Sequence, residues 1–415
     1  MALTISIFLL VYLAMCLGFL PGFNVDRTGA AVIGAFAMIA FGVISPSKAW
    51  NAIDYRTISL LFGLMVVSAS FIVSGFYNWT AARIATLRVS PALLLAVIII
   101  VGGGLSAFLT NDVVVVAMTP LLVSITMSRG LNPVPFLLGF CFASNTAASG
   151  SLIGSPQNMI VAQGLDLSFT GLLHVAALPA LLSLPIIWAV LIWLYHKNWY
   201  LAKSAQLAAP AVINNPANSL DIAETVKAGV ITVIVIIAFI ATDIPRELIA
   251  FGAAGFLLLN RTISSNDMLK HVDGNLLLLI MGLFIVNAAF SSTGIPQTLL
   301  DDLKHIGIDL NNPIVLFLVT GVLSNIIGNN PSVMLLVPFL HHSGHSDALG
   351  AALVLGSGFS SNMFVFGSLA GIIVVEQAKQ YGVKISFVEF MKSGFIVTVL
   401  CMLMAAVNIL LLSSL

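Results

Sequence analysis

The chain has 415 residues, 59% of them hydrophobic and only 8% charged. Soluble domains carry about a quarter of their residues as charges, so a soluble globular protein is excluded and a multi-pass membrane protein is indicated. Its 16 basic and 16 acidic residues cancel, which gives no basis for nucleic acid or another polyanion as partner.

An apolar stretch of about 18 residues or more is long enough to cross ~30 Å of hydrocarbon as a helix. In chain order such stretches fall near residues 4 to 21, 28 to 46, 57 to 76, 134 to 163 and 170 to 196. A second set falls near 226 to 242, 246 to 261, 274 to 293, 349 to 376 and 386 to 412. The opening MALTISIFLLVYLAMCLGFLPGF lacks the basic start and cleavage site of a signal peptide and reads as the first span. Two more stretches, 91 to 127 and 312 to 341, are apolar with a polar break in the middle: TND at 110 to 112 and GNN at 328 to 330. Each predicts two short helices meeting at a tip, a re-entrant hairpin. The expected fold is an all-α polytopic membrane protein with ten spans and two hairpins.

The halves repeat one another. DYRTISLLFGLMVVSASFIVSG (54 to 75) matches DGNLLLLIMGLFIVNAAFSSTG (273 to 294), 219 residues on. LSAFLTNDVVVVAMTPLL (105 to 122) matches LSNIIGNNPSVMLLVPFL (323 to 340), 218 residues on. Residues 1–200 are therefore expected to form a first repeat and 225–415 a second, joined by a polar linker over 201–224. Five crossings per repeat is an odd number, so the second repeat must be inverted. Under that threading one side of the membrane holds Arg27, Arg83, Arg88, Arg129, Lys197, Lys203, Lys227, Arg261, Lys270, Lys379, Lys384 and Lys392. The other holds only Lys48, Arg56, Arg246 and Lys304. The positive-inside rule makes the first side cytoplasmic, with the linker on it and both termini outside an inner (plasma) membrane.

Inverted repeats with broken elements near the midplane are a secondary-transporter architecture. Non-helical backbone at that depth is tolerated only where protein, water, ion or solute satisfies it. Four breaks are expected: the tips Thr110, Asn111, Asp112 and Gly328, Asn329, Asn330, and two interrupted spans. The first interruption carries Ser144, Asn145, Thr146, Ser155, Gln157 and Asn158, and the second Ser361, Asn362, Gly367 and Ser368. We assign Asp112, Asn111, Asn329 and Asn330 to ion coupling and Thr110 with the interrupted-span residues to substrate binding. An intramembrane acid such as Asp112 marks a functional site by default. Asp54 and Asp273, by contrast, sit at helix starts and read as caps. No Lys or Arg lies at any of the four breaks, which favours a neutral or cationic solute over a multiply charged anion.

Catalysis is not expected: Asp112 corresponds to Asn330, so an aspartyl pair is missing its second acid. Nor is a cofactor or bound metal. Cys16, Cys141 and Cys401 have no metal-type spacing, and HHSGH at 341 to 345 reads as a solvated outer loop.

These motifs resemble those of the ion transporter superfamily, within it the group joining arsenite permeases, NhaD-type sodium/proton antiporters and related anion permeases. FLTNDVVVVAMTP is similar to that group's first hairpin, NNPSVMLLVP to its second, LIGSPQNMIV to its IGxPxN element, and FGSLAGIIV followed by ISFVEFMKSG to its GSLA segment and sequel. The resemblance runs from about Asp26 to Gly394. It implies a homodimer in which an inner transport domain moves against an outer scaffold like an elevator. Sodium-coupled dicarboxylate carriers, more distant relatives, use Ser-Asn-Thr at both tips, a pattern from which Thr110-Asn111-Asp112 and Gly328-Asn329-Asn330 keep only the Asn. The expected function is efflux of a small inorganic solute, arsenite or antimonite, coupled to protons or sodium. The alternatives are a sodium/proton antiporter, a sodium-coupled small-anion or dicarboxylate carrier, and a permease subunit driven by a separate ATPase.

Overall fold

The computed structural model describes residues 1–201, 220–305, 307–340 and 346–413. The HHSGH loop and most of the linker lie outside the described residues. Among the described residues the first half builds ten helices: α1 (Ala2–Leu17), α2 (Arg27–Ala40), α3 (Pro46–Ala52), α4 (Tyr55–Val73), α5 (Phe76–Thr86), α6 (Pro91–Phe108), α7 (Asn111–Ser128), α8 (Pro133–Ala148), α9 (Pro156–Gly164) and α10 (Phe169–Tyr195). The second builds α11 (Ile222–Ala241), α12 (Arg246–Leu258), α13 (Ser265–Leu269), α14 (Gly274–Ser291), α15 (Ile295–His305), α16 (Pro313–Ile327), α17 (Asn329–Leu336), α18 (Ser346–Ser360), α19 (Leu369–Gln380) and α20 (Phe387–Ser413). Taken in order, each helix of the first half has a counterpart in the second.

Local chemistry sets the boundaries. Ser90, Asn132 and Asn312 cap α6, α8 and α16 with side-chain oxygens, each followed by a proline at the first helical position. Asp54 and Asp273 cap α4 and α14 as expected, accepting from the Arg56 and Leu276 amides.

Seven described helices are long and apolar enough to cross a membrane. Three details differ from the sequence expectation. The arms of the first hairpin, α6 and α7, are not short: each has 18 residues. The spans expected at 28 to 46 and 246 to 261 shrink to the 14 residues of α2 and the 13 of α12. Four further helices, α3, α5, α13 and α15, occupy stretches expected as loops. The first three begin at local signals too short to stand out in a hydropathy window: Ser45-Pro46, the left-handed Gly75 and the Ser264 cap.

The helices pack in two groups. In one, α4 lies on α12 and α2 on α14, with α1 and α11 alongside. Backbones touch at these crossings: a Cβ on Gly63 would stand 2.5 Å from the Ala250 carbonyl, and one on Gly282 2.8 Å from the Ala31 carbonyl. Gly63 and Gly282 are repeat partners, and so are Ala31 and Ala250. The same contact is made twice with the halves exchanged. In the other group α6 packs on α8 and α16 on α18, while α7 meets α19 and α17 meets α9, again reciprocally.

Candidate functional site

The breaks follow from residues that cannot continue a helix. Gly328, with φ +94 and ψ 162, turns the second hairpin through a conformation open in practice only to glycine. At the first tip the backbone is caught by its surroundings. The Thr110 amide donates to Ser68 Oγ at 2.9 Å, and the Asn111 amide to the Gly154 carbonyl at 2.9 Å. Gly154 in turn fits only without a side chain, because a Cβ there would be 2.8 Å from the Ser106 carbonyl oxygen. Gly367, at the second interruption, is hemmed in likewise, its Cβ position 2.8 Å from the Ser361 carbonyl oxygen.

Interrupting α8–α9 and α18–α19 frees backbone carbonyls, and amide side chains bond to them. Asn158 Nδ2 donates to the Ala148 and Ser151 carbonyls at 2.7 and 2.6 Å. Asn325 Nδ2 reaches the Ser360 carbonyl at 3.0 Å. Asn145 Nδ2 donates to Asn362 Oδ1 and Ser368 Oγ, both at 2.9 Å, and Asn362 Nδ2 to the Phe142 carbonyl at 3.1 Å. Ser144 bonds to Ser106 at 2.7 Å, Thr146 accepts from Ser183 at 2.8 Å, and Ser361 donates to the Gly358 carbonyl at 2.7 Å.

In front of this framework lies a cavity of about 920 Å³. Of the sequence-predicted residues it brings together Asn111, Asp112, Ser155, Gln157, Asn329, Asn330, Gly367 and Ser368 in its wall. Thr110, Ser144, Asn145, Thr146, Asn158, Ser361 and Asn362 are buried outside that wall. The cavity extends on one side to Cys16, Asp26, Arg27 and Asp273, around the α1–α2 loop and the start of α14.

Two features define its chemistry. Four helices, α7, α9, α17 and α19, begin at the cavity, and the first three have no capping side chain, unlike most helices in the chain. The amides of a helix start, with the positive dipole end, suit solute oxygens. The second feature is a set of unpartnered polar atoms: Asn111 Oδ1, Asn325 Oδ1, Asn330 Oδ1 and Arg27 Nε. Among the described residues no hydrogen bond reaches the Asp112 carboxylate, which shares the cavity wall with Asp26, Arg27 and Asp273.

Arg27 amends the charge expectation. The threading counts it only among the basic residues of one membrane side, yet it lines the cavity beside Gly328. A faint signal for it exists in the sequence: a basic residue beginning a helix opposes the dipole.

Two pseudo-equivalent hairpins and two interrupted spans around one cavity in a multi-pass helical protein define a membrane transporter for small solutes, not an enzyme. The chain belongs to the citrate transporter family, CitMHS, whose description matches residues 9–352. It is 26% identical to a 46 kDa membrane protein of Mycobacterium leprae across 98% of this chain and 97% of the other. Over 43% of this chain and 37% of the other it is 32% identical to the silicon efflux transporter LSI3 of Oryza sativa subsp. japonica. Its fold resembles that of MtrF from Neisseria gonorrhoeae, described within a class of antimetabolite efflux pumps, with a TM-score of 0.64, 14% identity and 98% and 94% of the two chains covered. These similarities agree with the superfamily resemblance carried by the hairpin motifs.

Proposed function

We propose that this protein is a secondary active exporter of a small oxyacid, arsenite or antimonite, which exchanges the solute for protons or sodium ions at Asp112. One observation carries the reading: an unbonded carboxylate faces a cavity at which three uncapped helices begin. Those amides suit an oxygen-rich solute. The carboxylate takes a proton, or neutralises a sodium ion whose remaining ligands are the free oxygens of Asn111 and Asn330. The similarity to a silicon efflux transporter supports the efflux direction. In this reading the second repeat is inverted, the protein sits as a homodimer in the plasma membrane with both termini outside, and the α6–α10 and α16–α20 group moves against the other like an elevator. The cavity then opens to the cytoplasm.

The test is solute flux in proteoliposomes with arsenite and imposed proton or sodium gradients. Wild-type protein is expected to move arsenite against its gradient with no ATPase present, and Asp112→Asn to abolish coupled movement while eluting as folded protein. Normal gradient-driven transport by Asp112→Asn overturns the coupling role. Transport only after an ATPase subunit is added overturns the secondary mechanism. The guanidinium of Arg27 favours a second reading, coupled transport of a small carboxylate, so citrate and succinate belong in the same assay.

A further inference from the structure

The zero net charge of the chain conceals a segregation. Residues 74–90, 128–133 and 196–219 hold Arg83, Arg88, Arg129, Lys197 and Lys203 and no acid. The repeat counterpart of 74–90, residues 293–309, holds Asp301, Asp302 and Asp309 with Lys304. The structure gathers the described part of the basic segments into one corner. Arg129, just past α7, donates through Nη2 to the Ile84, Ala85 and Leu87 carbonyls at 3.2, 2.6 and 2.6 Å and so ties down the end of α5. The adjoining turn is bound to the segment after α10: the Leu201 amide donates to the Gly130 carbonyl and the Asn132 amide to the Trp199 carbonyl, each at 2.9 Å. Beside Arg129 an open pocket of about 650 Å³ has Arg88 in its wall. In the last turn of α5 the Arg83 guanidinium lies 5.4 Å over the exposed Trp79 ring. Among the described residues none of these three arginines forms an ion pair.

We propose that this corner binds the headgroup of an anionic phospholipid, its phosphate seated between Arg88 and Arg129 and its acyl chains lying along α6. Guanidinium N–H groups match phosphate oxygens, and Arg129 spends only Nη2 on the protein. Two features select a lipid over a soluble anion. The apolar helix α6 starts three residues after Arg88, and its Leu93 and Ile100, seven residues apart and so on one face, are exposed. Exposed aromatic rings stand at the same level, Trp79 on α5 and Tyr200 where it bridges to Leu131, as is usual where hydrocarbon meets headgroups. Basic residues just outside an apolar span are drawn to a negatively charged leaflet. In the proposed orientation that leaflet is the cytoplasmic one. The site lies outside the transport cavity and depends neither on the solute nor on Asp112.

The test is retention of phosphatidylglycerol and of phosphatidylcholine by purified protein in neutral detergent, read by native mass spectrometry with thermal unfolding in parallel. Wild-type protein is expected to bind phosphatidylglycerol saturably, at least fivefold more tightly than phosphatidylcholine, and to melt higher with it bound. Inorganic phosphate at the same concentration is expected to leave the melting temperature unchanged. Arg83→Gln/Arg88→Gln is expected to lose fivefold or more in phosphatidylglycerol affinity and, without lipid, to melt as wild type, because among the described residues neither side chain makes a hydrogen bond. Lys379→Gln/Lys384→Gln removes the same charge from basic positions elsewhere and is expected to keep wild-type affinity. Equal binding of the two lipids overturns the inference, and so does an equal loss in both double variants, which reports total charge and not a site. Stabilisation by inorganic phosphate equal to that by phosphatidylglycerol makes this a free-anion site and overturns it as well. Should Arg83→Gln/Arg88→Gln not fold, Arg88→Gln alone decides: a threefold or greater loss is expected, and undiminished affinity overturns the inference.

Discussion

Asn145 and Asn111 are both buried amides, yet their hydrogen bonds give them opposite roles. Asn145, 3% exposed, joins the two interrupted spans through Asn362 and Ser368. Truncation leaves buried partners unsatisfied, so Asn145→Ala is expected to cost about 1–3 kcal/mol and to lower the melting temperature. Asn111 has an unpartnered oxygen, and Asn111→Ala is expected to leave the melting temperature within about 0.5 kcal/mol of wild type in stability terms while impairing solute flux. Thermal unfolding in detergent beside liposome flux separates the two. In the sequence both were amides at a break, and nothing in local composition distinguishes a carbonyl's partner from a solute's. Only the fold reveals that Asn362 comes from the other repeat to meet Asn145.

At the scale of elements, the glycine crossings are the most demanding packing in the chain. A branched side chain at Gly63 has to displace the α12 backbone, so Gly63→Val is expected to destabilise by about 1–3 kcal/mol or more. Gly282→Val is expected to do the same at the symmetric crossing, and roughly equal losses of melting temperature check the reciprocity. The duplication, the hairpin tips and the capping aspartates were legible because each leaves a mark within a few consecutive residues. Which helices pair was not, because the Gly63–Ala250 and Gly282–Ala31 contacts join residues far apart in sequence. The small helices α3, α5, α13 and α15 escaped because their starts depend on one cap or one left-handed glycine.

For the molecule as a whole, the proposed orientation makes native Cys16 a reporter: it is exposed and lines the open cavity, whereas Cys141 and Cys401 are buried. A membrane-impermeant maleimide is expected to modify Cys16 in inside-out vesicles and not in right-side-out ones; the reverse pattern overturns the orientation. The pairing of Arg246 with Leu167 has a thermodynamic consequence as well. In the proposed alternating-access reading, repeat symmetry would give that bond a twin, from Arg27 to the Ile385 carbonyl, formed when the cavity closes and its equivalent at the opposite face breaks. Two end states assembled from the same inventory of interactions lie close in free energy. A tenfold concentration ratio, worth about 1.4 kcal/mol, is then enough to tilt the balance. Arg246→Ala removes a charged bond of about 1.5–3 kcal/mol from one end state alone. It is expected to reduce Cys16 labelling about tenfold or more by shifting the population to the face where that bond is not made.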